Sequence, residues 1–496
     1  MIIAVLSKVL GFFRDIVLTY FYGASSTTDA YFIAVTITTM LFSFVITGIV
    51  SGYIPLYKEI ENHSGEKQAI SFTNNLVNIV MIITTLLLIA GFLFTNQIVT
   101  LFALGFDEET KKLAVLFTRI GLIGIYFTGL AQLLSGYLQL NGRFTATALL
   151  GFPVNLIIIL SIVISAQTHS VVLAVGGVIA SVAQLFFLMP SLSKVKYRYA
   201  PIVKFTDENI KKVALFVLPI TMSVSVQHIN SMVDKTLASR IVEGGISSLT
   251  YASRLNDFVH GIFVISFITV LFPLISRMAA KNNIDELKKS ICEVISSVIV
   301  LVVPASVGMM VLATPIIQLL FGRGHFGEQA VMLTSQALFF YSIGMIGYGI
   351  REILLRTFYS LQDMKTPAYN ASIAVVLNIF LNIILSRYMG IAGLALATSI
   401  SALFSIFLLF ISLRRKIGPL GMKSMLVTLL KVITASGVMG FVIAMVNGYV
   451  WVEMNGLLKM AVIVIVGASV YFILLTVLKV EESKVILTFL RKKARL

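Results

Sequence analysis

Long apolar stretches follow one another along the chain with only short polar interruptions, and fourteen of them reach the roughly 20 residues that a helix needs to cross a bilayer core. They fall near 1–23, 28–56, 72–104, 113–140, 146–166, 170–190, 209–239, 247–277, 289–322, 331–360, 366–388, 391–413, 423–447 and 456–478. In lipid only a helix or a closed barrel satisfies its own backbone, and helices are the default for runs of this length. The pattern therefore predicts an all-α polytopic membrane protein.

Composition strengthens that reading. Of the 496 residues, 58% are hydrophobic and 12% charged, against about 45–50% and 25% in soluble domains. The net charge of +16 would suit nucleic acid if it formed one patch, but the basic residues are spread over the loops, so no nucleic-acid partner is expected. Orientation explains them instead. Loops after even-numbered stretches, with the C-terminal tail, hold 24 Lys and Arg, and loops after odd-numbered stretches hold 5. The positive-inside rule then puts both termini in the cytoplasm, with the basic tail against the head groups of membrane lipids.

The first stretch carries Lys8, Arg14 and Asp15 and has no small-residue cleavage site, so it reads as a retained helix rather than a signal peptide. A single cysteine, Cys292, leaves no intrachain disulfide or Cys-based metal cluster. The five histidines are too scattered for a metal motif, and no phosphate-cradling Gly-rich loop is present. Neither a metal, nor a cofactor, nor ATP hydrolysis is expected.

Two segments recur. Tyr137 to Asn155, an aromatic residue, a polar turn with Asn141-Gly142-Arg143, then Asn before an Ile-rich run, is echoed by Tyr359 to Asn378 with Gln362-Asp363-Met364-Lys365 as its turn. Tyr31 to Pro55 is echoed by Tyr251 to Pro273. The offsets, 222 and 218 residues, suggest one duplicated six-helix unit. Six is even, so the halves share orientation and form a parallel repeat about an axis along the membrane normal. The expected organisation is a six-helix lobe over 1–200, a second over 201–416, and two extra helices with a basic cytoplasmic tail over 417–496.

Ionisable residues at mid-helix cost roughly 2.5–3.5 kcal/mol each on insertion scales and normally face a bundle interior or a cavity. In the first helix Lys8 and Asp15 are seven residues apart and share a face, while Arg14 projects about 100° away. Arg14 can address a cavity while Asp15 pairs locally, or the group can tie this helix to a neighbour. Asp29 follows Thr27-Thr28 at the start of the second helix, where it is equally an N-terminal cap. The seventh carries Gln227, Asn230, Ser231 and Asp234 at helical spacing, a stripe that lines a cavity or bonds to other helices. Arg254 and Asp257 stand at i, i+3 in the eighth; a guanidinium fork suits phosphate oxygens, and a snorkelling interfacial Arg is the alternative. Arg351, Glu352 and Arg356 lie in the tenth, with Glu352 and Arg356 spaced to pair.

At these residues the chain resembles the MurJ/MviN lipid II flippases of the multidrug, oligosaccharidyl-lipid and polysaccharide exporter superfamily. The matching segments are Ser7-Lys8-Val9-Leu10-Gly11-Phe12-Phe13-Arg14-Asp15, Thr28-Asp29-Ala30-Tyr31-Phe32, Tyr251-Ala252-Ser253-Arg254-Leu255, and Phe358 through Pro367. The resemblance covers essentially the whole chain. It implies lipid II, a polyprenyl-pyrophosphate glycolipid, as cargo, alternating access between two six-helix lobes, a gate near helices 1 and 8, and a groove for the polyprenyl tail at helices 13 and 14. It also implies a place in the bacterial cytoplasmic membrane, a part in peptidoglycan biosynthesis and cell-wall synthesis partners. Arg14, Asp15, Asp29 and Arg254 match the family's functional charges, and Lys8 stands for an Arg. In helix 2 the chain departs from the family, which often has an Arg pair followed by Glu; here the stretch reads Phe42-Ser43 with Thr47 at the acidic position.

The expected substrate-handling residues are thus Lys8, Arg14, Asp15, Asp29, Asp234, Arg254, Arg351 and Glu352, with no catalytic residue. Other readings remain open: a flippase for a capsule or exopolysaccharide unit, or a cation-coupled drug exporter with Asp29 or Asp234 as the ion site. A membrane glycosyltransferase would need a catalytic acid and usually a large external loop, and every loop here is short. The sequence leaves the coupling ion undefined.

Overall fold

A computed structural model describes residues 2–195, 197–261, 284–449 and 455–480. Among them are sixteen helices and no strand. In chain order these are α1 Ile2–Tyr22, α2 Ser26–Ser64, α3 Glu66–Phe102, α4 Glu108–Leu140, α5 Phe144–Ala148, α6 Gly151–Gln167, α7 Val171–Lys194, α8 Glu208–Ile241, α9 Gly245–His260, α10 Ile284–Val311, α11 Ala313–Leu320, α12 Glu328–Ser360, α13 Lys365–Met389, α14 Ile391–Ile417, α15 Met422–Tyr449 and α16 Gly456–Val477. Eleven helical segments among the described residues are long and apolar enough to cross a membrane, which makes this a multi-span membrane protein. The later part of the eighth stretch, the Pro273 echo, Lys196 and the tail beyond 480 lie outside the described residues.

Thirteen of the expected apolar stretches fall on described helix and the eighth does so up to His260; two are broken. The fifth divides into α5 and α6 because Pro153 has no N–H to donate to Leu149, while its fixed φ suits the first turn of a new helix. The ninth divides at Leu312 into α10 and α11.

Compactness separates Met1–Ser247 with Gly324–Gly327 from Ser248–Arg323 with Glu328–Leu496. In the first unit α2 packs on α3, α4 and α8, and α7 lies against α4 and α6. α8 therefore belongs with the first unit by packing, a different division from the 200/201 repeat boundary. The core at one end is aromatic: Tyr53, Tyr57, Tyr137 and Tyr197 form a chain of rings with centroids 5.8, 5.8 and 5.0 Å apart. Tyr53 Oη bonds Thr73 Oγ1 at 2.9 Å, which satisfies the buried hydroxyl.

In the second unit α12 packs on α10 and α14, and α15 on α10 and α16. Small residues let α12 and α14 approach closely: a Cβ on Gly344 would stand 2.6 Å from Ser399 Oγ, and that hydroxyl accepts from Gly344 N at 3.1 Å and donates to Phe340 O at 2.6 Å. α16 docks through a helix defect. Pro304 has no N–H, which frees the carbonyl of Val300 one turn back, and Tyr471 Oη donates to that carbonyl at 2.7 Å.

The turns of the two echoed segments share one geometry. Arg143 N donates to Leu138 O at 2.9 Å across Gly142 at φ 70°, and Asp363 N donates to Phe358 O at 2.9 Å across Gln362 at φ 56°.

Candidate functional site

Arg14 is half-buried on α1. Its Nε and Nη2 donate to the same oxygen of the next residue, Asp15 Oδ1, at 3.1 and 2.9 Å, and its Nη1 donates to Asn155 Oδ1 of α6 at 3.2 Å. The 100° separation of the two positions is bridged by the reach of the long arginine side chain. Asn155 is aimed by its own bond, Nδ2 to Gly151 O at 2.8 Å. Asp15 is only 4% exposed, whereas 23% of the Arg14 side chain remains accessible. The guanidinium is thus held by Asp15 and Asn155 while part of the side chain stays accessible, an arrangement that pre-orients it toward an anion. Lys8 is exposed earlier on the same helix.

Asp29 is 2% exposed and caps a helix other than its own. α2 is capped by Ser25 in a reciprocal box with Thr28, while the Asp29 carboxylate accepts Gly244 N at 2.9 Å, Ser247 N at 2.7 Å and Ser247 Oγ at 2.5 Å. These donors form the first turn of α9, where helix N–H groups lack internal partners and a negative charge is favoured. Gly244 sits at φ 75°, and a Cβ there would lie 2.4 Å from Ala24 O, so glycine is required at this approach.

Along α8, Asp234 is half-buried and Lys235 donates to Thr36 Oγ1 of α2. One helical stretch earlier His228 Nε2 and Ser43 Oγ lie 2.5 Å apart, with the Phe44 ring edge-on to the imidazole at 5.9 Å. Ser43, which stands where the resemblance leads one to expect an arginine, is thus joined to the His228 imidazole of α8.

In the second unit Arg254 is half-buried on α9 and Asp257 exposed. On α12 Arg351 is half-buried, and Glu352 Oε2 lies 3.7 Å from Arg356 Nε, the i, i+4 pair that the spacing predicts. The same unit contains an apolar groove of about 380 Å³ between α10, α15 and α16, lined among others by Val300, Pro304, Gly308, Met439, Val464 and Tyr471. A Cβ on Gly308 would meet nothing within 4 Å, so the groove floor is open there. Sequence patterning alone did not flag these lining residues, nor Asn155 as the partner of Arg14. Pro304 inside an apolar helix is the one local signal for the groove.

A family model described as lipid II flippase MurJ matches residues 18–467. A probable lipid II flippase MurJ of Thermotoga maritima is 30% identical over 482 residues, covering 97% of this chain and 96% of its own. One from Vibrio cholerae serotype O1 is 30% identical over 422 residues, covering 82% and 80%. A solved structure of lipid II flippase MurJ in an inward closed conformation is similar at TM-score 0.83 and 27% identity, over 96% of this chain and 97% of that one. An inward-facing multidrug resistance MATE family transporter of the MOP superfamily is similar in fold at TM-score 0.70 and 16% identity, over 83% and 94%.

Proposed function

Because the chain belongs to the lipid II flippase MurJ family, we propose that it moves lipid II across the bacterial cytoplasmic membrane by alternating access of two six-helix lobes, with both termini in the cytoplasm. Such a cargo has two incompatible parts. Its pyrophosphate-sugar head cannot cross hydrocarbon unaided, and its polyprenyl tail need never leave it. The observation that carries the reading is the groove between α10, α15 and α16, apolar along its length and formed partly by the two helices that lie outside the six-helix repeat. A drug exporter of the same fold has no need of a separate apolar track.

For the head group we assign Arg14, held by Asp15 and Asn155, and Arg254 as phosphate contacts, since a guanidinium fork matches phosphate oxygens. Lys8 and Asp234 of the first unit and Arg351 and Glu352 of the second are assigned to handling of the head group as well. Asp29, enclosed by the α9 turn, supports the site by fixing that helix start. The protein makes and breaks no covalent bond in this reading. The test is complementation of a strain depleted of its lipid II flippase. Growth with normal lipid II turnover is expected. A full-length, membrane-inserted protein that fails to complement while restoring export of another polyprenyl-linked glycan would move the cargo to that glycan, in line with Ser43 standing at the position where the resemblance implies an arginine.

A further inference from the structure

Residues 197–204 link α7 to α8 without regular secondary structure, yet their backbone is tied to α3 at five points. Asn74 Nδ2 donates to Arg198 O at 3.1 Å, Asn78 Nδ2 to Ala200 O and Ile202 O at 3.2 and 2.9 Å, and Asn75 Nδ2 to Lys204 O at 3.0 Å, while Lys204 N donates to Asn75 Oδ1 at 2.7 Å. Tyr197 and Tyr199 add their hydroxyls to Asn74 Oδ1 and Asn78 Oδ1, both at 2.6 Å. The three asparagines are 3%, 1% and 7% exposed. A loop in water needs no such partners, because water serves its carbonyls. A loop whose carbonyls are packed against a membrane helix, away from water, does need them, and three asparagines in that helix are tolerable only when bonded.

The outward face of this segment suits that depth. Tyr199, Val203 and Phe205 are exposed at 55%, 46% and 56%, beside the exposed cations Arg198 and Lys204, the pairing of aromatic and basic side chains found at membrane interfaces. Beneath Val203 a cavity of about 330 Å³ runs between α3 and α4, lined by Met81, Ile82, Leu86 and Tyr126 as well as Asn78. Ile82 and Leu86 are themselves exposed.

We propose that this is a binding site for an anionic phospholipid of the cytoplasmic leaflet, with the phosphate on Arg198 and Lys204 and one acyl chain in the cavity along Ile82 and Leu86. The asparagine clamp holds the two cations at a fixed height above the acyl track. The site lies within the first unit and shares no residue with the Arg14–Asp15–Asn155 group.

The test is native mass spectrometry of the full-length protein titrated with phosphatidylglycerol or phosphatidylcholine. Wild type retains phosphatidylglycerol preferentially. Each cation beside an anionic head group is worth about five-fold, so Arg198→Ala/Lys204→Ala, both exposed and remote from the core, lowers phosphatidylglycerol retention roughly 30-fold and leaves phosphatidylcholine unchanged. Lys111→Ala/Lys112→Ala, which removes equal charge at the start of α4, leaves both unchanged. Unaltered phosphatidylglycerol retention in the first variant, or an equal loss in the second, overturns the site. Short-chain phosphatidylglycerol binding as tightly as the long-chain lipid overturns its acyl half.

Discussion

Replacing Arg14 by alanine removes two things at once, and only a second substitution tells them apart. The variant loses the cation offered to a pyrophosphate, and it leaves Asp15, 4% exposed, as a buried carboxylate without the guanidinium that donates to it at 3.1 and 2.9 Å. Removing one partner of a buried pair costs about 3–5 kcal/mol of stability; with 23% of Arg14 accessible, solvent screening brings the cost to the lower end or below. Losing the charge-assisted anion contact costs about 1.5–3 kcal/mol, roughly ten- to a hundred-fold in affinity. Arg14→Ala alone should therefore be scarce in the membrane and inactive. Arg14→Ala/Asp15→Asn has no stranded charge, so its abundance should return to near wild type while lipid II still accumulates in a flippase-depleted strain. Arg14→Lys keeps the charge but cannot hold Asp15 and Asn155 together, and should fall between. The assay is membrane immunoblotting beside quantified lipid II. Full complementation by the double variant at normal abundance would refute the head-group role and leave Arg14 a structural residue.

Other outcomes follow from the same geometry. Arg254→Lys should be impaired and Arg254→Ala more so at unchanged abundance, measured as lipid II accumulation; equal activity of all three would remove the bidentate contact. Gly308→Phe should obstruct the open groove floor and slow flipping without loss of protein, whereas Gly308→Ala should be neutral; a fully active Phe variant argues that the tail takes another route. Tyr471→Phe strands the Val300 carbonyl and should destabilise by about 1–2 kcal/mol in thermal unfolding, and adding Pro304→Ala, which restores the helical N–H, should abolish that difference. Asp363 accepts Thr366 N at 3.0 Å and Lys416 Nζ at 2.7 Å, and the lysine draws its carboxyl down from 3.8 to about 2. A group lowered on folding stabilises above its ordinary value and ceases to as the pH falls through its folded one. The Tm gap between wild type and Asp363→Asn should therefore be present at neutral pH and close between pH 3.8 and about 2; a gap that widens in acid would contradict the pairing.

The order and extent of the helices were legible because a bilayer imposes one length and one composition on every span. The breaks inside two of them were less so, although Pro153 marks one. Glu352 and Arg356 pair as their i, i+4 spacing requires. Asp29 shows the limit of local reading: capping chemistry was visible in Thr27-Thr28-Asp29, but the capped helix begins 215 residues further on at the Gly244 amide, and no nearby pattern points there. The groove was hidden for another reason. Its lining is ordinary aliphatic side chains drawn from helices far apart in sequence, and nothing distinguishes them from residues that face lipid.

Of the expected head-group residues, Arg14, Asp15, Asp234 and Arg254 lie on α1, α8 and α9. A charged side chain within a membrane helix is held by its neighbours, and α1 and α8 show how: Arg14 donates to Asn155 of α6, while Lys235 and His228 bond Thr36 and Ser43 of α2. Each such bond replaces apolarity as the reason the helix stays in the membrane. It also makes the polar face removable, because a bond between side chains can be exchanged for one to a phosphate, whereas lipid-facing leucines have nothing to exchange. On the proposed function, the charged residues of these helices are for that reason the ones that would release a neighbour and take up an anionic head group.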